Sequence, residues 1–190
     1  MPSPSPDQPT AESGTAVSRV TAALAAHGLD QVPVRAFSER TATAADAAAA
    51  IGTDVAHIVK SLVFMAADQP ILVLASGPNR VDVDKVARLV GEPVVRANAN
   101  QVRRATGFAI GGVPPVGHPE SLTTYVDRDL LQYDQVWAAA GTPNTVFSIV
   151  PAELVRITAG RVEDVTQAPA SDAESLHADI RHNSGPQSGV

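Results

Sequence analysis

Only two lysines occur in this chain of 190 residues, against twelve arginines, and one of them, Lys60, stands inside the apolar run Ile58-Val59-Lys60-Ser61-Leu62-Val63-Phe64. With the two-residue period of a strand, Lys60 shares a face with Ile58, Leu62 and Phe64. An ammonium there either opens on a cleft or costs several kcal/mol to bury unpaired. In a cleft it supplies positive charge to an anion or a polarised oxygen. The structural alternative is a lysine whose stem lies along the sheet while its head reaches water or a carboxylate.

A second group of residues lies in Gly111-Gly112-Val113-Pro114-Pro115-Val116-Gly117-His118-Pro119, where three glycines and three prolines in nine residues forbid regular structure. Adjacent glycines let a ligand approach the backbone and expose N–H donors, and the prolines hold one shape. That suits an anion or an oxyanion, and equally a rigid surface turn. The loop lacks the Gly-Lys-Ser/Thr ending of a Walker loop and does not match the dinucleotide fingerprint. His118 fits a general base or a hydrogen-bond partner that locks the loop; no carboxylate stands at a suggestive spacing, which favours the lock. A third group, Ala140-Gly141-Thr142-Pro143-Asn144, follows an apolar strand and reads as a pocket wall or a hairpin turn.

Other chemistries are poorly served. There are no cysteines, which removes disulfides, thiolate metal sites and Cys nucleophiles together. The five histidines show no metal-ligand spacing. Ser61, Ser76 and Ser148 lack a nucleophile-elbow context. No apolar run approaches the roughly 20 residues needed to span a bilayer, and the N-terminus lacks the pattern of a signal peptide, so a soluble, cytoplasmic protein is expected.

The elements that must hold these groups follow from pattern and composition. Apolar residues make up 44% of the chain and aromatics 4%, which suits one aliphatic core. A body over residues 17–167 is expected between disordered tails at 1–16 and 168–190. Helical spacing runs from Val17 to His27, and a short strand from Val34 to Phe37. Thr43 is placed to cap an alanine-rich helix ending before Gly52. His57–Met65 and Ile71–Ala75 predict a central hairpin turning at residues 66–70. Asp82 and Asn98 cap two short helices that stop at Gly91 and Gly107. Beyond the loop come strands at 124–126, 136–140 and 145–150, a short helix at 128–131, and a helix led by Pro151. This order predicts an α+β fold with a mixed sheet rather than a doubly wound one.

The net charge of −6 argues against a nucleic-acid partner until it is divided. The body holds 13 Lys and Arg against 15 Asp and Glu, so the tails carry most of the excess. Residues 80–104 hold Arg80, Lys85, Arg88, Arg96, Arg103 and Arg104 against Asp82, Asp84 and Glu92, a local charge of +3. That patch fits phosphates, or a solvated pair of helix faces.

Taken together, Ile58-Val59-Lys60-Ser61-Leu62, the segment Gly107 to His118, and Ala139-Ala140-Gly141-Thr142-Pro143-Asn144 resemble the YbaK/ProX (YbaK/EbsC) family of trans-editing aminoacyl-tRNA deacylases, related to the editing domain inserted in bacterial prolyl-tRNA synthetases. The likeness spans about Val17–Val165. It implies a mixed, partly barrel-like sheet flanked by short helices, with no metal and no organic cofactor. The implied substrate is a mischarged tRNA engaged at its 3′ acceptor end, with a synthetase as a further partner. Lys60 matches the family's essential lysine, and Gly111 through Pro115 match the loop that shapes the amino-acid pocket. Members similar to the cysteinyl-prolyl deacylase often carry Ser before the loop proline, where this chain has Pro114, so the edited amino acid stays open among Ala, Ser, Thr, Cys and 2-aminobutyrate.

Such a reaction needs no nucleophilic side chain, because a held water suffices against an ester and stabilising the oxyanion is the main task. The expected roles are charge from Lys60, oxyanion binding by N–H groups at Gly111 and Gly112, and a water positioned by a ribose hydroxyl. Phe64, Val113, Pro114, Pro115, Gly117, His118, Gly141, Thr142 and Asn144 are expected around the substrate, with Thr142 or Asn144 bonding a substrate hydroxyl. Lys85, Arg88, Arg103 and Arg104 are expected on tRNA phosphates. Two other classes stay open: a non-catalytic module that binds tRNA or a synthetase, and a small-molecule ester hydrolase.

Overall fold

A computed structural model describes residues 11–37 and 43–168. Most of the two expected tails therefore lies outside the described residues. The first helix, α1 (Ala11–Ala26), begins six residues before the expected start of the body. Thr43 caps α2 (Ala44–Ile51) in a capping box with Asp46, and Gly52 ends it in the left-handed region. Asp82 caps α3 (Val83–Val90) and Asn98 caps α4 (Ala99–Thr106), each closed by the expected glycine. Pro151 opens α5 (Pro151–Thr158), where its missing N–H costs no helical bond.

Among the described residues, eight strands form two sheets. The hairpin pairs β2 (Val59–Ala66) with β3 (Gln69–Ser76) antiparallel, Lys60 opposite Ala75. β3 then pairs in parallel with β5 (Thr123–Asp127), and β5 in parallel with β8 (Arg161–Glu163). β4 (Val94–Arg96) covers the far half of β2, which makes a five-stranded sheet in the order β4-β2-β3-β5-β8. A smaller sheet sets β7 (Thr145–Ile149) between β1 (Val34–Ala36) and β6 (Val136–Ala139). One parallel bridge, Ile58 to Trp137, links the sheets, and they do not close into a barrel. The class is α+β, as expected. β4 and β8 are additions to that expectation, both only three residues long.

The two faces of β2 go into different cores. Val59 and Val63 pack with Val20 and Leu24 of α1, Phe108 and Val113 of the loop, and Leu154 of α5. Phe64 and Ala66 pack under Val86 of α3. A third, small cluster joins Ala47 and Ala48 to Ile58, Trp137 and Val146. Because both faces are buried, the strand reads as an apolar run, and a charge within it stands out.

Candidate active site

A cleft opens where β2 runs out of neighbours. Its edge is taken by β4 from Phe64 onward and by β6 at Ile58, while Lys60, Ser61 and Leu62 pair with neither. Into this gap opens a cavity of about 290 Å³, walled by Val59 to Leu62, by Ala44 and Ala47 of α2, by Trp137 and Ala139 of β6, and by Ile110, Gly111 and Val113 of the loop. Most of that surface is apolar. The polar groups are few, which is the usual character of a small-ligand site.

Lys60 is half-buried, and its Nζ donates to the carbonyl of Asn79 in the turn after β3. Asn79 is itself anchored: its amide donates to Asp127 at 2.7 Å and to Asp129 at 2.8 Å. The fully buried Asp127 carboxylate also accepts from the backbone N–H groups of Ser76 and Asp129, at 3.1 and 3.0 Å. Three donors thus satisfy it, as a buried carboxylate requires. Burial lowers the Lys60 pKa; the charge of Asp127 opposes that shift, and Arg96 and Arg80 add to it.

Two glycines let the loop seat beside the end of β6. A Cβ on Gly112 would lie 2.7 Å from the Thr142 Cα, and one on Gly141 would lie 2.9 Å from the Ala16 backbone of α1, with Gly141 at φ 104°. The Gly112 N–H donates to the Ala109 carbonyl at 3.0 Å. Gly112 is therefore not a free oxyanion donor. Its role is to bring Gly111, whose N–H bonds to nothing among the described residues, to the cleft wall.

These residues fall within the segment 38–157, which matches the family model described as the aminoacyl-tRNA editing domain. The chain belongs to that family. Its YbaK/EbsC character is supported by relatives of similar length. YwhH of Bacillus subtilis (strain 168) is 33% identical over 130 residues, covering 68% of this chain and 83% of that one. EbsC of Enterococcus faecalis (strain ATCC 700802 / V583), named as a candidate Cys-tRNA(Pro)/Cys-tRNA(Cys) deacylase, is 25% identical over 133 residues, covering 69% and 81%. A crystal structure described as a candidate trans-editing enzyme for prolyl-tRNA synthetase superposes with a TM-score of 0.78 at 46% identity, covering 80% of this chain and 98% of that chain.

In this editing domain the expected site residues divide into three groups. Lys60, Gly111 and Val113 line the cleft together. Pro115, Gly117 and His118 line a different cleft behind the loop, beside Ala23 and His27. The His118 Nε2 lies 2.8 Å from the Pro114 carbonyl, which can only accept, so the ring donates there and closes the loop on itself. Burial lowers the His118 pKa, the Pro114 carbonyl opposes that shift, and Arg19 adds to it. Pro114 is buried in the same loop.

The third group is consumed by structure. Phe64 belongs to the core beneath α3 and lines no part of the cleft. Thr142 Oγ1 donates to Asn144 Oδ1 at 2.8 Å and meets Thr145 Oγ1 at 2.7 Å, while the Asn144 amide donates to the Phe37 carbonyl at 3.0 Å. Both side chains therefore tie the turn after β6, and neither residue lines the Lys60 cleft. Gly141 and Thr142 face a third cleft with Arg19 and Arg103. The polar group left in the Lys60 cleft is the Ser61 hydroxyl, which is buried without a partner. Its place in an apolar run hid it.

Among the basic residues, Lys85 is engaged: its Nζ meets Asp164 at 2.8 Å and donates to the Thr166 carbonyl at 2.7 Å. Arg88, Arg103 and Arg104 are exposed on α3 and α4. The charges that act on Lys60 are those of Arg80 and Arg96. Arg96 stands opposite Phe64 in the β2–β4 register, on the Lys60 face of the strand. No group of His, Asp or Glu suited to hold a metal occurs among the described residues, nor does a helix long and apolar enough to cross a membrane.

Proposed function

We propose that this editing domain hydrolyses the ester between a small amino acid and the 3′-terminal ribose of a mischarged tRNA, acting in trans. The observation that carries this reading is the small apolar cleft lined by Lys60, whose ammonium is held at the Asn79 carbonyl, and by Gly111, whose N–H has no partner among the described residues. Lys60 offers charge to the carbonyl oxygen or the adjacent phosphate. Gly111 offers a fixed dipole to the oxyanion as it forms, the kind of preorganised donor that is worth about 3–4 kcal/mol in acyl transfer. Water is the attacker, oriented by the free ribose hydroxyl of the substrate. The ester C–O bond breaks, the proton from water passes to the leaving ribose oxygen, and the products are the free amino acid and uncharged tRNA.

Cavity size supports a small aminoacyl group. An apolar wall separates substrates by only about 1–3 kcal/mol per methylene, so the cleft rejects large residues by volume and grades small ones weakly. A synthetase partner is consistent with what the similar crystal structure is described as serving.

The test is a panel of tRNAs mischarged with Ala, Ser, Thr, Cys and 2-aminobutyrate, incubated with wild type and with Lys60→Ala. Wild type is expected to release at least one of these amino acids, and Lys60→Ala to lose at least about 100-fold in rate while keeping the wild-type melting curve. Near-normal turnover by the folded variant overturns the reading.

A further inference from the structure

α1 lies outside the segment 38–157 that matches the family model, yet it ties down the loop that carries Gly111. Its Arg19 is half-buried, and its guanidinium donates from Nη1 to the Gly107 carbonyl at 3.3 Å and from Nη2 to the Thr106 and Gly117 carbonyls at 3.1 and 2.8 Å. The Arg19 Cζ lies over the Phe108 ring, 4.2 Å from its centroid. Thr106 to Phe108 is where the chain enters the loop, and Gly117 is where it leaves. One side chain thus clamps both ends of the segment.

Arginine is suited to this and lysine is not. A planar fork with five N–H donors reaches three carbonyls while its face lies on a ring, whereas an ammonium is a single point of charge. No carboxylate pairs with Arg19 among the described residues, so backbone carbonyls and a ring face receive its charge. The helix backbone also sits directly behind the loop: a Cβ on Gly117 would lie 3.3 Å from the Arg19 carbonyl oxygen. Between the clamped ends, Gly112 rests against Thr142 and His118 bonds to Pro114. The Phe108 and His118 rings also meet edge to face, 6.2 Å between centroids, so Arg19 shares the closure of the two ends with one ring contact.

We infer that Arg19 is a positioning residue of the editing site: by clamping Thr106–Gly107 to Gly117 it holds Gly111 against the cleft that contains Lys60, which makes α1 part of the active site. The consequence for rate rests on the deacylase reading, while the clamp is measurable without substrate.

The experiment uses the full chain and two variants, Arg19→Ala and Arg19→Lys, the second keeping charge and stem if the first fails to fold. Amide hydrogen exchange is read over residues 107–117 and over the β2–β3 hairpin, and deacylation is measured on the mischarged tRNA that wild type prefers. Loop amides are expected to exchange about 10-fold faster in both variants while the hairpin keeps wild-type protection. The kcat is expected to fall about 10- to 100-fold with KM changed less than about threefold, the pattern of a misplaced rather than a missing contact. Methylguanidinium is expected to restore part of the kcat of Arg19→Ala and none of that of Lys60→Ala. Wild-type exchange in the loop of Arg19→Lys overturns the clamp, and a loosened loop with unchanged kcat overturns the positioning role. A wild-type protein inactive on every mischarged tRNA overturns the deacylase reading instead, and the exchange data then still decide the clamp.

Discussion

At the scale of single residues, the state of Lys60 sets a pH dependence. Burial lowers its pKa, with Arg96 and Arg80 pushing the same way and Asp127 resisting. The folded chain therefore gives up this proton more readily than the unfolded one. Below the lowered value the ammonium is charged in both states and its desolvation costs stability; that cost is relieved as pH rises from the folded towards the unfolded value. Activity runs the opposite way, because the proposed role needs the charge. After subtraction of enzyme-free ester hydrolysis, kcat/KM is expected to decline on an alkaline limb whose midpoint lies below the ordinary lysine value of about 10.4. Lys60→Arg keeps charge to far higher pH, so whatever activity it retains should lose that limb. A wild-type profile that stays flat through the lysine range would show that the Lys60 charge is not needed. The same residue shows how far pattern reaches. Its rarity and its apolar surroundings mark it in the sequence, but the partner that holds it, the Asn79 carbonyl, lies 19 residues away in the turn Gly77-Pro78-Asn79, whose composition signals a turn and not its contact with Lys60.

At the scale of elements, the contact between the loop and the end of β6 is backbone against backbone, and it leaves no room for a methyl group. Gly112→Ala places a Cβ 2.7 Å from the Thr142 Cα, and a main chain cannot swing aside as a side-chain tip can. Such overpacking costs about 1–3 kcal/mol, or a melting midpoint lower by roughly 2–12 °C in a chain of this size. Deacylation should fall with it, since relief comes by moving the loop away from the cleft. An unchanged melting midpoint together with full activity would mean that the close approach is not maintained in solution. Local signals foretold much of this level: the hairpin, the capped helices α2, α3 and α4, and the proline at the start of α5 all follow from neighbours within a few positions. β4 and β8 did not announce themselves, because three residues carry no period and their pairing with β2 and β5 is a tertiary event. The loop was recognisable by composition, but its attachment was not. Arg19 reaches Gly107 across 88 positions of sequence, and no pattern in the N-terminal helix distinguishes that arginine from a solvated one. Thr142 and Asn144 show the complementary case: polar side chains after a strand suit a pocket or a turn equally, and the hydrogen bonds to Thr145 and Phe37 place both in the turn.

At the scale of the whole molecule, the question is how a chain of net charge −6 engages a polyanion. Total charge governs long-range steering, which salt screens within about 10 Å at 0.1 M, whereas phosphate contacts depend on cations that are near the site and not already paired. Lys85 fails the second condition, because Asp164 and the Thr166 carbonyl occupy its ammonium. Arg80 and Arg96 meet both: they are exposed, they act on Lys60, and among the described residues neither forms an ion pair with a carboxylate. If the single-stranded 3′ end of a tRNA lies along this side of the cleft, each phosphate neutralised contributes about −0.7 to the slope of log(kcat/KM) against log[salt]. Arg96→Gln is therefore expected to raise KM and to make that slope shallower by about 0.7, with kcat near wild type. Lys85→Gln should leave the slope unchanged and cost at most about 1 kcal/mol of stability, the usual worth of a surface ion pair. Equal slopes for wild type and Arg96→Gln, measured on the same mischarged tRNA between 50 and 200 mM salt as a range of roughly fourfold, would remove Arg96 from the contact surface. A shallower slope for Lys85→Gln would instead move the nucleic acid onto α3.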